Sequence, residues 1–205
     1  MVTIRNILRS TIRQSYRHGL FHIRSRDEFP FVLNARALIG DGAEVGVHKG
    51  SYSEFVLTHW HGRKLFSIDP WMESDREVCA DGTPVTQLAH DDVFSSAERR
   101  LERFGVRSEM MRRTSRDAAH SFADGQLDFV YIDALHYYED VRDDIELWYP
   151  NVRKGGILAG HDYVDGWAPN YVYGVKSAVD ELRSVKRSRL AISREAISPS
   201  WFFLV

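Results

Sequence analysis

The sequence predicts an α/β protein, a three-layer fold in which a seven-stranded, mostly parallel sheet carries helices on both faces. Two observations point there. From residue 43 onward, short apolar runs alternate with segments of helical periodicity, the pattern of parallel strands joined by crossover helices. Two of those runs end in a carboxylate beside a histidine, Asp133 with His136 and His161 with Asp162. Open α/β sheets bind ligands outside the carboxyl ends of their strands.

The elements follow in order. The first 26 residues carry Arg5, Arg9, Arg13, Arg17, Arg24 and Arg26 and no acid, with Ile4, Leu8, Ile12 and Tyr16 on one helical face. This reads as a basic amphipathic helical extension over 1–30, ahead of a single domain over 31–205. Its apolar stripe suits the domain or a second copy in a homo-oligomer, while its arginines suit water, an anionic membrane or substrate, or an organelle-targeting segment. Strands are expected near 43–47 and 64–69 with a helix near 51–60 between them. Residues 70–91 lack a period and contain Asp, Gly, Pro and Thr, so they read as a loop or lid. His90-Asp91-Asp92 then opens a helix near 92–104, with acids placed favourably for its dipole.

A strand near 108–112, a helix near 116–123 and a strand near 127–133 come next. The helix near 137–149 is the clearest, because Tyr138, Val141, Ile145 and Trp148 recur at three- and four-residue steps while Glu139, Arg142, Asp143 and Glu146 face away. Gly155-Gly156 is expected to supply a left-handed turn before a strand near 155–161. A helix near 174–186 and strands near 189–193 and 201–205 complete the order.

Composition limits the function classes. The chain has 205 residues, 43% of them apolar, with 27 Lys plus Arg against 29 acids and a net charge of −2. One domain with a real core is expected, without a global attraction for nucleic acid. The single cysteine, Cys79, excludes an intrachain disulfide and a Cys-rich metal site. No apolar run is long enough to span a membrane, and no secretory signal is evident. A cytoplasmic protein is expected.

The first strand and its turn read Glu44-Val45-Gly46-Val47-His48-Lys49-Gly50-Ser51-Tyr52-Ser53. The glycines permit close backbone approach to a ligand, but neither a Gly-x-Gly-x-x-Gly fingerprint nor a P-loop is present, which disfavours nicotinamide dinucleotides and triphosphates. The next strand ends in Ser67-Ile68-Asp69-Pro70-Trp71, placing a carboxylate where it could accept hydrogen bonds from ribose hydroxyls.

These motifs, with Asp128-Phe-Val-Tyr-Ile-Asp133-x-x-His136 and Gly155-Gly-Ile-Leu-Ala-Gly-His161-Asp162, resemble class I S-adenosylmethionine-dependent methyltransferases, a Rossmann-like fold. The likeness covers about residues 35–205 and is greatest to metal-dependent O-methyltransferases of the catechol and macrolide-sugar types. It implies that Glu44, Gly46, Gly50 and Ser53 frame the methionine part of S-adenosylmethionine. Asp69 would hold the ribose, Trp71 flank the adenine, and Ser115 and Arg116 border its edge. Asp133 would serve both cofactor and metal, and His136 would be the base for a small hydroxylated acceptor.

A hydroxyl acceptor is rarely ionised at neutral pH, so a divalent cation such as Mg²⁺ and a nearby base answer the chemical need. Hard cations take oxygen ligands, which points to Asp133 and Asp162. His161 departs from the acidic or amide pair of the resembled enzymes. It is carried as a third metal ligand suited to Mn²⁺ or Zn²⁺, with substrate contact and a metal-free site as the other readings. Adjacent strand residues face opposite ways, so His161 and Asp162 can share a site only where the strand has already broken. A nicotinamide oxidoreductase and a non-catalytic cofactor-binding protein of the same fold are the alternatives.

Overall fold

The computed structural model describes residues 23–73, 86–168, 171–186 and 189–205. The N-terminal stretch that reads as a basic helix thus lies outside the described residues as far as residue 22, as do residues 74–85 of the expected lid.

A 3₁₀ turn at Arg26–Glu28 leads into α1 (Phe29–Ala35), with Pro30 in its first turn, where the missing N–H costs nothing. The chain continues through β1 (Asp41–Val45), α2 (Ser51–His59), β2 (Lys64–Asp69), α3 (Gln87–Leu101) and β3 (Ser108–Arg112). Then come α4 (Ser115–Ala119), β4 (Leu127–Ile132), α5 (Tyr138–Trp148) and β5 (Val152–Gly160). A hairpin of β6 (Asp165–Ala168) and β7 (Tyr171–Gly174), then α6 (Val175–Lys186), β8 (Leu190–Ile192) and β9 (Trp201–Leu204) close the fold.

The main sheet has seven strands in the order β3-β2-β1-β4-β5-β9-β8. Its first five strands pair in parallel, and β9 runs antiparallel to both β5 and β8. Every residue of β4 is buried, as a central parallel strand covered on both faces requires. Side-chain alternation divides the core. Phe129 and Tyr131 pack under α1 and α2 with Phe29, Val32, Tyr52 and Trp60, whereas Val130 and Ile132 pack under α4, α5 and α6 with Trp148 and Val179.

Several boundaries differ from expectation for identifiable reasons. The Thr86 hydroxyl accepts the Ala89 N–H, so α3 starts five residues before position 92, inside the expected loop. Gly155, with φ +79, sits within β5, and the β4–β5 register shifts between Leu127 and Phe129. It therefore marks an irregularity inside a longer strand, not the turn before one. The boundary placed at residue 30 falls inside α1, and Ile23 and Phe29 are both buried in the core. The β6–β7 hairpin was not foreseen; Asp165 accepts both the backbone N–H and the hydroxyl of Ser177, tying the hairpin to the start of α6.

Candidate active site

The strand order reverses between β1 and β4, and crevices at such switch points are where doubly wound sheets bind ligands. The backbone is tightly closed there. Asp133 N–H bonds Val45 O at 2.7 Å, and Gly46 N–H bonds Ile68 O at 2.9 Å. A Cβ on Gly46 would lie 2.0 Å from the Asp133 carbonyl oxygen, and its φ is +88, so only glycine fits this turn. Gly50, with φ +74, precedes α2; a Cβ there would meet Ala97 of α3 at 3.4 Å. This second glycine thus serves helix packing as well as the loop.

At the end of β1, Glu44 is buried and accepts the Ser53 hydroxyl, which also lies 2.8 Å from Ser67 Oγ. Burial pushes the Glu44 carboxyl up to about 8 against that hydrogen bond; Asp133 adds to the rise and Arg26 opposes it. Asp69, ending β2, is committed to the backbone. One oxygen accepts the N–H groups of Val47 and His48 at 3.0 and 2.9 Å, and the other accepts that of Trp71 at 2.8 Å. Two carboxylate oxygens offer about four acceptor sites, so Asp69 retains capacity for a hydroxyl. The Trp71 indole is buried, donates to His48 O at 2.9 Å and packs edge-on against Phe94 at 5.0 Å.

Ser115 is not the cap of α4. Thr114 takes that role by accepting the Asp117 N–H, while Ser115 donates to Asp144 at 2.5 Å and accepts the Trp148 indole N–H at 2.9 Å. Burial raises Asp144 to about 6, against the Ser115 hydrogen bond. Arg116 stays largely exposed, 3.9 Å from Asp143.

The second half of the site gathers at the ends of β4 and β5. Asp133, His136 and Asp162 each offer one ligand atom, all within 4.8 Å of one another. His136 Nε2 lies 3.0 Å from Asp162 Oδ2 and 3.8 Å from Asp133 Oδ1. His161 Nδ1 repeats those distances, 3.0 Å to Asp162 and 3.8 Å to Asp133. This convergence needs the break in the strand noted above, and the structure contains it: β5 ends at Gly160, and Asp162 adopts φ +52. Burial disfavours charge on His136, yet the neighbouring Asp133 and Asp162 carboxylates outweigh it and push the imidazole up to about 9. Burial would likewise raise Asp162, but hydrogen bonds with His136, His161 and Ser198 hold it well below the usual carboxylate range.

Two further side chains border this cluster. The Tyr173 ring lies 5.2 Å from the His136 ring, and Gly174 N–H donates to His136 O at 2.9 Å, so the hairpin walls the histidine. Arg26 reaches in from the 3₁₀ turn, with Nη1 3.1 Å from Asp133 Oδ2.

The sequence of residues 43–163, which spans β1 through the β5 strand end, matches the family model described as "Methyltransferase domain". The chain belongs to this methyltransferase family. Two curated relatives are an uncharacterized protein of Sinorhizobium fredii, 24% identical over 132 residues, and one of Acanthamoeba polyphaga mimivirus, 25% identical over 151 residues. These alignments take in 63% and 71% of the methyltransferase chain, but only 13% and 62% of the respective relatives.

Solved structures share the fold of this methyltransferase over nearly its whole length. An O-methyltransferase from Bacillus cereus in complex with SAH superposes with a TM-score of 0.62 at 13% identity, over 96% of this chain and 90% of that one. The O-methyltransferase TomG from Streptomyces achromogenes, involved in tomaymycin synthesis and solved with SAM, gives 0.58 at 17% identity, over 96% and 88%. Among the described residues of the methyltransferase, no helix is long and apolar enough to cross a membrane.

Proposed function

We propose that the protein transfers a methyl group from S-adenosylmethionine to a hydroxyl of a small molecule, such as a sugar or polyketide, with help from a divalent cation. The cluster of Asp133, His136 and Asp162 at the carboxyl ends of β4 and β5 carries this reading. Two carboxylates beside an imidazole, with donor atoms within 4.8 Å, fit a hard divalent cation such as Mg²⁺. His161 is close enough to Asp162 to join them.

Glu44, Gly46, Gly50 and Ser53 would frame the methionine part of the donor, and Asp69 would take a ribose hydroxyl on its remaining acceptor capacity. Ser115 and Arg116 would border the adenine, and Trp71, packed on its other side against Phe94, would flank it.

Displacement at a sulfonium expels a neutral thioether and needs no acid, so the protein must align the acceptor and remove its proton. A cation on Asp133 and Asp162 would polarise the acceptor hydroxyl and neutralise the two carboxylates that hold the His136 proton. His136 then takes the acceptor proton at Nε2, the atom facing Asp162. Tyr173 and the hairpin fix the imidazole and wall it from water.

Calorimetry with S-adenosylhomocysteine should give one saturable site per chain; no heat at millimolar ligand would refute the donor. Mn²⁺ binding read by electron paramagnetic resonance should be competed by Mg²⁺ and lost in Asp162→Asn. Unchanged Mn²⁺ affinity in that variant would remove the cation from this site.

A further inference from the structure

Arg26 is turned away from solvent and into the switch-point crevice. Its Nη1 is 3.1 Å from Asp133 Oδ2, its guanidinium lies 4.8 Å over the Tyr52 ring, and its side chain remains 34% exposed. The backbone on either side of that side chain is fixed. Arg26 O accepts the Tyr52 hydroxyl at 3.1 Å, and Arg26 N–H donates to Glu195 Oε1 at 3.3 Å. Asp133 continues the parity of Phe129 and Tyr131 and emerges on the α1–α2 side of the sheet, which is why a residue just before α1 can meet it.

The charges around this guanidinium pose a question of balance. Asp69, Asp133 and Asp162 all end strands or follow them at this edge. Such a cluster suits a ligand's sulfonium and ammonium groups but repels an α-carboxylate. An amino-acid ligand therefore gains from a cation within reach of the β1–β4 crevice, and the His136 imidazole is already engaged at Asp162. With the ribose at Asp69 on β2, the amino-acid end of the donor extends across β1 towards β4, the position Arg26 overlooks. A guanidinium has five N–H donors, so it can take a carboxylate while keeping Asp133.

We propose that Arg26 binds the α-carboxylate of the methyl donor and so selects an amino-acid-bearing adenosine over its decarboxylated counterpart. This rests on the donor assigned above. It gives the short turn before α1 a role in ligand selection, distinct from the arginines of the preceding segment.

The test is a ligand-truncation cycle on the full chain by calorimetry. The ligands are S-adenosylhomocysteine and its decarboxylated analogue, 5′-(3-aminopropylthio)-5′-deoxyadenosine. Charge-assisted hydrogen bonds of this kind are worth about tenfold to a hundredfold in affinity. Wild-type protein should prefer S-adenosylhomocysteine by at least about tenfold on that basis, and Arg26→Gln should lose the preference while binding the analogue much as wild type does. Equal weakening towards both ligands would mean that Arg26 acts on structure alone, and an undiminished preference in the variant would mean the carboxylate lies elsewhere. Either result overturns the proposal. Should Arg26→Gln fail to fold, the wild-type comparison decides: equal wild-type affinities for the two ligands overturn it. Wild-type protein that binds neither ligand would instead refute the donor, and this inference with it.

Discussion

Replacing Glu44 by glutamine should flatten the pH dependence of stability. The Glu44 carboxyl is buried and titrates near 8, against an ordinary value of 4.5. A raised acid favours folding in its protonated form, so its contribution is most favourable below 4.5 and is lost as pH climbs through the interval to about 8. At about 1.4 kcal/mol per pH unit, that loss reaches about 3 kcal/mol by pH 7 and about 5 kcal/mol above pH 8. Glutamine keeps an oxygen for the Ser53 hydroxyl and has no charge to bury. Urea unfolding of wild type and Glu44→Gln at pH 5, 7 and 8.5 supplies the assay. The variant should gain on wild type by several kcal/mol between pH 5 and 8.5. Parallel profiles would show that Glu44 is ionised in the folded protein and that its burial is relieved by a route absent from the structure.

Two further predictions probe the same edge. Gly46→Ala places a methyl group 2.0 Å from the Asp133 carbonyl at φ +88, so guanidinium unfolding should show a loss of about 3 kcal/mol or more, and an unchanged midpoint would refute the close approach. Asp144, raised to about 6 from 3.8, should destabilise the folded protein progressively across that pH interval. Asp144→Asn, which can still accept from Ser115, should therefore match wild type near pH 4 and exceed it by about 3 kcal/mol at pH 7; melting curves that stay parallel over that range would contradict it.

The β4 run and its Asp133-x-x-His136 ending were legible because they are local: a continuous apolar strand, then polar residues where a strand must stop. The same holds for α5, whose apolar spacing carries its register. Arg26 was not legible. Its sequence neighbours make it one more arginine in a basic stretch, and its partner Asp133 lies 107 positions away. Only the packing of Ile23 and Phe29 into the core brings the two together. Trp71 was legible as an important position but not in its orientation, because whether an indole offers a face or is packed away depends on Phe94 from α3. The hairpin of β6 and β7 escaped because two four-residue strands carry too little period to separate from a loop.

The backbone adds a constraint that no residue pattern announces. His48, Trp71 and Asp162 all have positive φ, at +49, +40 and +52, and all three lie just beyond the carboxyl ends of parallel strands. Non-glycine residues pay about 1–2 kcal/mol for this conformation, so the surrounding contacts must hold them there. Asp69 does so for His48 and Trp71 by accepting both of their backbone N–H groups. His136 and His161 do so for Asp162 by binding its carboxylate. The groups proposed for ribose and cation binding are thus the same groups that hold the strained turns in place, so on that proposal ligand affinity and local backbone order would be coupled. Asp69→Ala should therefore loosen the β1–α2 and β2 turns together, and hydrogen exchange at Val47, His48 and Trp71 should accelerate in the absence of any ligand. Unchanged exchange at those three amides would separate the carboxylate from the turn and leave ribose binding as its sole role.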